Sequence, residues 1–251
     1  FGEGDYFLFY GQSPDKWEYK TISSRFIFHK HLYSNDSYFF VNVNDNTGAK
    51  RILDVNSTTA IVTNTVTSFD DYQAKEDEKI NIMSLSSKGG SGKLWVGDVF
   101  EATLSANYNF KFPNIDITSN ATIYTSVLAL TNYPTSSSFS MTSSGNSTTI
   151  SMPGIPSGTH SSVALRRDGS LAFLPSSTTV GVNLTYNKPL SQSGVGYLDY
   201  IEVNVRRNLA LSNNQMIFRD INSTGTGNVS KYNMTIASTV DEVWDVTNPF
   251  E

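Results

Sequence analysis

The sequence contains no cysteine among its 251 residues. That absence excludes a thiol nucleophile, a disulfide framework and a thiolate metal site from this chain. It also argues against a small secreted eukaryotic domain, because such domains usually depend on disulfides. A bacterial envelope protein fits better. Charged residues make up only 16% of the chain, and Ser, Thr and Asn fill the polar positions, as is common in cell-surface β-proteins.

Long apolar runs and an excess of positive charge are missing as well. No apolar run approaches the ~20 residues of a membrane-spanning helix, so we expect a chain that does not span a membrane in this way. The formal net charge of −5 argues against nucleic acid as a partner. The chain begins Phe1-Gly2 with neither Met nor a signal peptide, and we interpret it as a piece of a longer exported precursor.

Two sequence motifs that would indicate an enzyme are also missing. No Gly-x-Ser-x-Gly elbow occurs. Residues 89–93 (GGSGK) lack the spacing of a phosphate-binding loop and lead into Trp95 and Val96 instead of a helix. Aromatic residues, by contrast, amount to 12% of the chain, and such rings suit pleated, half-buried surfaces.

The apolar pattern has period two almost everywhere, which predicts strands. The clearest runs cover residues 122–130, 180–186 and 200–206, and in the last of these Ile201, Val203 and Val205 share one face. Residues 5–10 and 37–43 are apolar on both faces, as in strands covered on both sides, and residues 51–66 read as an outer strand. No long amphipathic helix is visible.

Turn signals and composition complete the predicted architecture. Asp168-Gly169 predicts a tight hairpin between two short strands, and the charge-dense residues 70–79 read as a solvated crossing. Residues 241–247 read as a final strand with Trp244 buried. The fold class is therefore all-β, with two β-sandwich-like domains, residues 1–95 and residues 96–251. We expect the second to be a larger antiparallel, jelly-roll-like sandwich.

Two groups of residues have metal-ligand chemistry. His29 and His31 would face one side of a strand, but His160 is the only other histidine, and a zinc site needs three or four ligands. The acidic residues 76–78, with Asp70 and Asp71, match no calcium loop. We therefore predict ordinary surface or packing histidines, a solvated acidic segment, and no catalytic, cofactor-binding or metal-binding residues and no cofactor.

Two further patterns are interpreted as surface features. The basic doublets 166–167 and 206–207 would meet an acidic partner or, as we expect, lie on solvated strand faces. Eight Asn-x-Ser/Thr sequons are treated as surface composition; they begin at Asn35, Asn56, Asn120, Asn146, Asn183, Asn222, Asn228 and Asn233.

Four separated segments resemble one family, the PorU-type sortases of the type IX secretion system of Bacteroidetes. The first consists of residues 4–11 (GDYFLFYG) with Trp17, followed by residues 31–34 (HLYS) and 38–40 (YFF). It is similar to the family's aromatic strand, tryptophan and "H-x-Y-S … Y-F-F" run.

The other three segments follow in the family's order. Residues 91–100 (SGKLWVGDVF) are similar to "S-G-R-x-W-x-G-E-x-F", with Lys93 and Asp98 as charge-conserving departures. Residues 197–209 (YLDYIEVNVRRNL) resemble "L-D-Y-I-x-x-N-x-x-R-x-L". Residues 243–249 (VWDVTNP) resemble "V-W-D-V-T-D-P", with a change at Asn248.

The resemblance implies a function for the whole protein and a different one for this chain. In the family these segments precede a gingipain-like cysteine peptidase domain. The full protein resembles a cell-surface sortase at the outer membrane, which removes the C-terminal sorting domains of secreted cargo and helps attach the cargo to anionic lipopolysaccharide. This chain would be its accessory, non-catalytic region. Its expected partners are its own peptidase domain, other secretion components and cargo.

Two alternatives from other functional classes stay open at this point. A free-standing glycan-binding or adhesin module would have the same composition, because sandwich folds with exposed aromatics often bind sugars and a fold does not establish a function. A β-sandwich hydrolase ranks below it, since no site for one is recognisable in the sequence.

Overall fold

The computed structural model describes residues 8–40, 52–85, 94–157, 163–189, 193–235 and 242–248. Within these ranges the regular structure is β, apart from two short 3-10 turns at Ile82–Leu85 and Ile221–Ser223. The strands, in chain order, are β1 (Lys16–Lys20), β2 (Arg25–His29), β3 (Asn64–Val66), β4 (Ser68–Glu76), β5 (Ile80–Asn81), β6 (Trp95–Val96), β7 (Val99–Phe100), β8 (Ser105–Lys111), β9 (Ala121–Thr131), β10 (Ser137–Ser143), β11 (Asn146–Met152), β12 (Leu165–Phe173), β13 (Thr179–Asn187), β14 (Gly194–Asn208) and β15 (Ser230–Tyr232).

Two antiparallel sheets form a sandwich. A four-stranded sheet has the order β11-β10-β13-β8, and a five-stranded sheet has the order β12-β9-β14-β4, with β7 also paired to β14. Smaller pairs surround it: the antiparallel hairpin β1-β2, the antiparallel pair β5-β6, and the parallel pair β15-β3. The predicted all-β sandwich is confirmed.

The core lies between the inner faces of the two sheets. Alternation works as predicted on β13, where Val180, Val182, Leu184 and Tyr186 are all buried, and on the inward face of β14. Burying each such side chain stabilises the fold by roughly 1.5–3 kcal/mol. At one end of the core a Cβ on Gly196 would lie only 2.6 Å from the ring of Phe139, so only glycine fits there.

One edge of the sandwich is closed by β11 and β12, and here a prediction is wrong. Asp168 and Gly169 form no hairpin but lie in the middle of β12, opposite Ser126 and Thr125 of β9. The reason is packing: a Cβ on Gly169 would lie 2.4 Å from Cδ1 of Ile150. The glycine is needed for the close approach of Ile150 on β11, which is a tertiary requirement and not a turn.

The charge-dense segment 70–79 is likewise not a crossing. Most of it forms β4, which pairs with β14 over nine residues from Tyr200–Glu76 to Asn208–Ser68. Its polar side chains are tolerated because each strand face meets another element, as described below. The division of the chain at residues 95 and 96 stays a prediction, although β4 and β14 come from opposite sides of it.

The two ends of the chain contain less strand than predicted. Residues 8–10, 37–40 and 242–248 are described and have no strand, and only β3 forms within residues 52–66; the rest of the predicted strands 5–10, 37–43 and 241–247 lies outside the described residues. A strand requires a hydrogen-bonded neighbour, and apolar alternation alone does not provide one. Trp244 is half-buried instead of buried, and its Nε1 donates to Glu242 Oε2 at 2.7 Å.

Candidate functional site

The hairpin β1-β2 lies on the outer face of the five-stranded sheet. Its register places Trp17 opposite Phe28 and Tyr19 opposite Phe26, so the hairpin presents aromatic rings on one side. Trp17 stacks on Tyr72 of β4 with centroids 4.0 Å apart, and Phe26 lies 4.8 Å from the same ring. The aromatic contact therefore covers the face of β4.

Polar side chains of β14 complete the attachment. Asn204 accepts from the backbone N–H of Phe26 at 2.8 Å and donates its Nδ2 to the Phe26 carbonyl at 3.1 Å. Glu202 accepts from the N–H of Phe28 at 2.8 Å. These two side chains satisfy backbone groups of the hairpin that a neighbouring strand would otherwise satisfy.

Arg25 adds charge to this contact. Its guanidinium pairs with the Glu202 carboxylate and lies 3.8 Å from the centroid of the Tyr124 ring. Glu202 is only 2% exposed, and a carboxylate that deep in the protein requires such a partner. The positive charge of Arg25 on the hairpin and the negative charge of Glu202 on β14 therefore compensate each other where an unpaired buried charge would be costly. We call the contacts of Trp17, Arg25, Tyr72, Glu202 and Asn204 the hairpin seam.

A group of carboxyl groups extends from the hairpin seam toward the end of β4. Burial raises the pKa of Asp199, opposed by Arg166, whose Nη2 lies 2.7 Å from Asp199 Oδ2. Burial also raises the pKa of Glu76 to about 7, and the negative charge of Asp199 adds to this shift. Lys30 donates to the Glu76 carbonyl at 2.9 Å. The result is a set of carboxyl groups that resist simultaneous ionisation.

A polar cleft of about 290 Å³ opens between the hairpin and β4 next to these groups. Its walls include Asp15, Lys30, Lys75 and Glu76. Among the residues that the structure describes, no three His, Cys, Asp or Glu side chains are arranged to hold a metal ion. The hairpin side and β4 each contribute one acidic and one basic residue to these walls, so opposite charges can meet across the contact, which suits a docked interface between elements.

Arg206 is half-buried and Arg207 buried, and both are paired with acidic residues, so the prediction of a solvated strand face is wrong for the arginine doublet of β14. Arg206 contacts Asp70 at 2.8 Å and Asp220 at 2.6 Å. Arg207 contacts Asp71 at 2.7 Å. Asp70 and Asp71 therefore form ion pairs with arginines. The interpretation of these two acidic residues as part of a solvated segment is wrong. The doublet ties β4 and the segment after β14 into one unit.

The doublet of β12 differs in exposure. The side chain of Arg166 is 49% exposed even though it pairs with Asp199, and Arg167 is exposed, with its Nη1 donating to the carbonyl of Arg166 at 2.9 Å. The solvated strand face predicted here is confirmed.

Asp98, in the second motif, anchors a chain of charges at the β4–β5 corner. It accepts from the Tyr108 hydroxyl at 2.9 Å and from Lys79 at 2.8 Å, and Lys79 also contacts Asp77 at 2.9 Å. Burial opposes the ionisation of Asp98, but the hydrogen bonds from Lys79 and Tyr108 outweigh it and lower the pKa. Asp98 thus links the loop before β7 to β8 and to the connection between β4 and β5.

The neighbouring residues of that motif behave differently from each other. The N–H of Gly97 donates to the carbonyl of Leu198 at 2.8 Å, and a Cβ on Gly97 would lie 3.2 Å from Asp77, so the backbone passes close to its neighbours here. Trp95 does not pack beside it in the core, because it is 39% exposed.

The histidines have separate, local partners. His29 Nε2 lies 3.2 Å from Glu18 on the exposed side of the hairpin. His31 Nδ1 accepts from the N–H of Ser34 at 3.0 Å, closing a turn. Each of these two histidines therefore has a local partner, and their assignment as ordinary surface or packing residues stays a prediction. His160 and residues 89–93 lie outside the described residues.

Residues of the resembling motifs occupy several of these contacts. Trp17, Asp98, Asp199, Asn204 and Arg207 each hold two elements together, as given above. Sequence reasoning did not single out Arg25, Tyr72 or Glu202. No local signal could have found them, because charged or polar residues that alternate with apolar ones in a strand normally face solvent. In the described part of the chain, no helix is long and apolar enough to cross a membrane.

Comparison with known proteins finds a structure with a similar fold. The sequence matches no protein-family model and no curated protein. The structure is similar to dimeric latent PorU from Porphyromonas gingivalis, with a TM-score of 0.63 and 14% identity, over 86% of this chain and 20% of that chain. A match to an Arthrobacter globiformis isomalto-dextranase has a TM-score of 0.25 over 39% of the chain, which is too low to support any argument.

This chain therefore spans about a fifth of the PorU chain that it matches. At 14% identity the likeness concerns the fold alone. It agrees with the all-β sandwich. The chain has a PorU-like fold.

Proposed function

We propose that this chain is the accessory, non-catalytic N-terminal region of a cell-surface sortase, preceding a gingipain-like cysteine peptidase domain. The observation that carries the proposal is the PorU-like fold over 86% of this chain. The placement of motif residues such as Asn204 and Asp98 at the contacts between elements supports it further. The full protein then acts outside the cytoplasm, at the outer-membrane surface.

In this proposal the chain supplies a rigid support and the peptidase domain supplies the chemistry. The peptidase removes C-terminal sorting domains from type IX cargo and helps attach the cargo to anionic lipopolysaccharide. The charge-paired hairpin seam and the Arg206 and Arg207 contacts make the β-region stiff, which is what a platform for a second domain requires. Its partners are the peptidase domain, other secretion components and cargo.

Cleavage assays test this division of labour. We expect the 251-residue chain to leave a cargo protein with a C-terminal sorting domain intact, and the full-length protein to cleave it. The gene downstream of the codon for Glu251 should encode a peptidase domain with a Cys and a His in its active site. Replacing that Cys by Ala in the full-length protein is the matched control, and it should abolish cleavage.

Two outcomes would contradict the proposal. One is a stop codon directly after Glu251, which would make the chain free-standing. The other is specific cleavage of the cargo by the purified chain alone, provided that the cleavage survives repeated purification.

A further inference from the structure

A run of exposed aromatic side chains follows the hairpin β1-β2. Tyr38, Phe39 and Phe40 are between 49% and 99% exposed, although three consecutive large rings are typical of a strand that is covered on both faces. Phe9 lies beside them, with its ring centroid 5.4 Å from that of Phe39, and its neighbour Leu8 is exposed as well. We call Leu8, Phe9, Tyr38, Phe39 and Phe40 the aromatic surface. Contiguous apolar groups from two segments of a chain indicate an interaction site.

Hydrogen bonds hold the segment that leads to the aromatic surface in place. Asp15 Oδ1, just before β1, accepts from the N–H of His31 at 2.8 Å. His31 Nδ1 accepts from the N–H of Ser34 at 3.0 Å, and Ser34 Oγ donates to the carbonyl of Asp36 at 2.8 Å. The rings therefore follow a segment with defined local structure, which lowers the entropic cost of binding a partner.

The backbone of the aromatic run has no partner of its own in the described part of the chain. There, the N–H and carbonyl groups of Tyr38, Phe39 and Phe40 form no backbone hydrogen bond, and the three residues belong to no sheet. Main-chain polar groups are costly to bury unless they are paired. A partner that covers these rings must therefore supply backbone hydrogen bonds as well as apolar contacts, as an added strand does.

A lipid surface does not meet these two requirements. Unpaired N–H and carbonyl groups are excluded from the hydrocarbon layer of a membrane, because no water is present there to bond with them. Two acidic residues, Asp15 and Asp36, also lie in the segments that support the aromatic surface. Their negative charge is unfavourable next to anionic headgroups.

A second copy of the chain meets the requirements only in part. Two identical runs, paired edge to edge, would satisfy backbone groups but would leave both faces of each run exposed, since side chains point to the two faces of a sheet and not along its edge. Two runs packed face to face would cover one face and leave the backbone groups unpaired. A larger protein surface is needed to cover the rings and pair the backbone together.

We propose, on the basis of the sortase function proposed above, that the aromatic surface is the docking surface for the peptidase domain of the full-length protein. The domain adds a strand beside residues 38–40 and covers their rings. About four-fifths of the PorU chain lies outside the part that this chain matches, so a protein of that kind carries further domains on the same polypeptide. A tethered domain is present at an effective concentration of about millimolar, and permanent interfaces are more apolar than transient ones.

Hydrogen exchange of the full-length protein and of the 251-residue chain tests the docking surface. We expect the amides of Tyr38, Phe39 and Phe40 to exchange at least about tenfold more slowly in the full-length protein, because pairing with a strand protects them. This comparison needs no substitution, and it therefore does not depend on the folding of a variant.

Two variants of the full-length protein sharpen the test. Phe40→Asp introduces a charge at the most exposed ring of the aromatic surface, where it should leave the fold intact and remove the protection of residues 38–40. Leu174→Asp is the matched control. Leu174 is 53% exposed and directly follows β12, the strand at the edge of the five-stranded sheet opposite to β4, and its substitution should leave the protection unchanged.

Four results would overturn the proposal. Two of them are equal exchange of residues 38–40 in the full-length protein and in the 251-residue chain, and full protection in Phe40→Asp. A dimer of the 251-residue chain in sedimentation velocity, lost in Phe40→Asp, would assign the surface to a second copy. Binding of the chain to phosphatidylglycerol vesicles, lost in the same variant, would assign it to a membrane.

The sortase function and the docking surface can be distinguished when one of them fails. Cargo cleavage by a full-length protein whose residues 38–40 exchange freely would reject the docking surface and keep the sortase function. Protected amides in a full-length protein that leaves cargo intact would keep the contact between the domains and reject the sortase function. A stop codon directly after Glu251 would reject both.

Discussion

The indole of Trp17 stacks on the ring of Tyr72, with centroids 4.0 Å apart and planes 29° from parallel. Trp17 belongs to the hairpin β1-β2 and Tyr72 to the edge strand β4, so the stack joins the start of the chain to the main sandwich. Substituting one residue of this pair should therefore measure how much the attachment of the hairpin contributes to the stability of the protein.

Trp17→Ala should lower the free energy of unfolding by about 2 kcal/mol, because a half-buried aromatic loses both area and a ring–ring contact. Denaturant unfolding measures the change. Trp95→Ala is the matched control, since Trp95 is 39% exposed, and it should cost less than about 1 kcal/mol. Equal losses in the two variants would mean that the stack does not hold the hairpin.

Asn204→Ala should release the hairpin locally. The substitution leaves the N–H and carbonyl of Phe26 without the partners that Asn204 provides at 2.8 and 3.1 Å. We expect a loss of about 1–3 kcal/mol and faster hydrogen exchange at the Phe26 amide. Asn187→Ala, on the opposite, exposed face of the sandwich, should leave that amide unchanged; unaltered protection in Asn204→Ala would contradict the assignment.

Glu76 should make stability depend on pH. Burial raises its pKa from 4.5 to about 7 in the folded state, so the folded protein keeps a proton that the unfolded chain releases. The contribution is fully present below pH 4.5 and is lost as the pH rises through about 7. The free energy of unfolding at pH 5 and pH 8 should differ less in Glu76→Gln than in the wild type.

The control for this measurement is Glu101→Gln, a substitution at an exposed position. It should keep the pH dependence of the wild type. Buried Asp199 and Glu202, whose pKa values are also raised, should preserve part of the slope in Glu76→Gln. A slope identical to that of the wild type would show that Glu76 does not titrate in this range.

Gly169→Ala should destabilise the sandwich by about 1–3 kcal/mol through overpacking, since its Cβ would lie 2.4 Å from Ile150 Cδ1. Adding Ile150→Ala removes the clash. The double variant should therefore lose less stability than the sum of the two single variants. Additive losses measured by thermal unfolding would argue against this contact.

Trp244→Ala should have a small effect, below about 1 kcal/mol. The residue is half-buried, Val243 beside it is 66% exposed, and the hydrogen bond to Glu242 is local. Urea unfolding checks the value, with Trp17→Ala as the sensitive reference. A loss of about 3 kcal/mol or more, the range for a buried large aromatic, would restore the sequence prediction of a core residue.

Much of the fold followed from the sequence because the inner faces of β9, β13 and β14 repeat with period two. The alternation of Val180, Val182 and Leu184 predicts a buried strand face without knowledge of the neighbouring strands, and all three residues are buried. Local alternation is enough for such strands, since any sandwich must bury that face. The composition, rich in Ser, Thr, Asn and aromatic residues, likewise favoured an all-β protein before any contact was known.

Other elements were decided by neighbours far away in the chain. Asp168-Gly169 has the chemistry of a turn, yet Ile150 packs against the glycine and the strand runs straight through. The polar strand β4 is stable only because β14 pairs with it and the hairpin covers it.

For the candidate functional residues, too, the sequence pattern predicts some features and distant contacts decide the others. The alternation of the strands predicts the outward Ser, Thr and Asn residues of the four-stranded sheet, but only the register brings Asn183 beside Asn107. Glu202 and Asn204 occupy outward positions that alternation assigns to solvent. The hairpin that buries them comes from 174 and 178 residues earlier in the chain. The sequence by itself determined which residues face out of a strand; the tertiary structure decided which of those faces meet water, because burial depends on distant segments that no local pattern encodes.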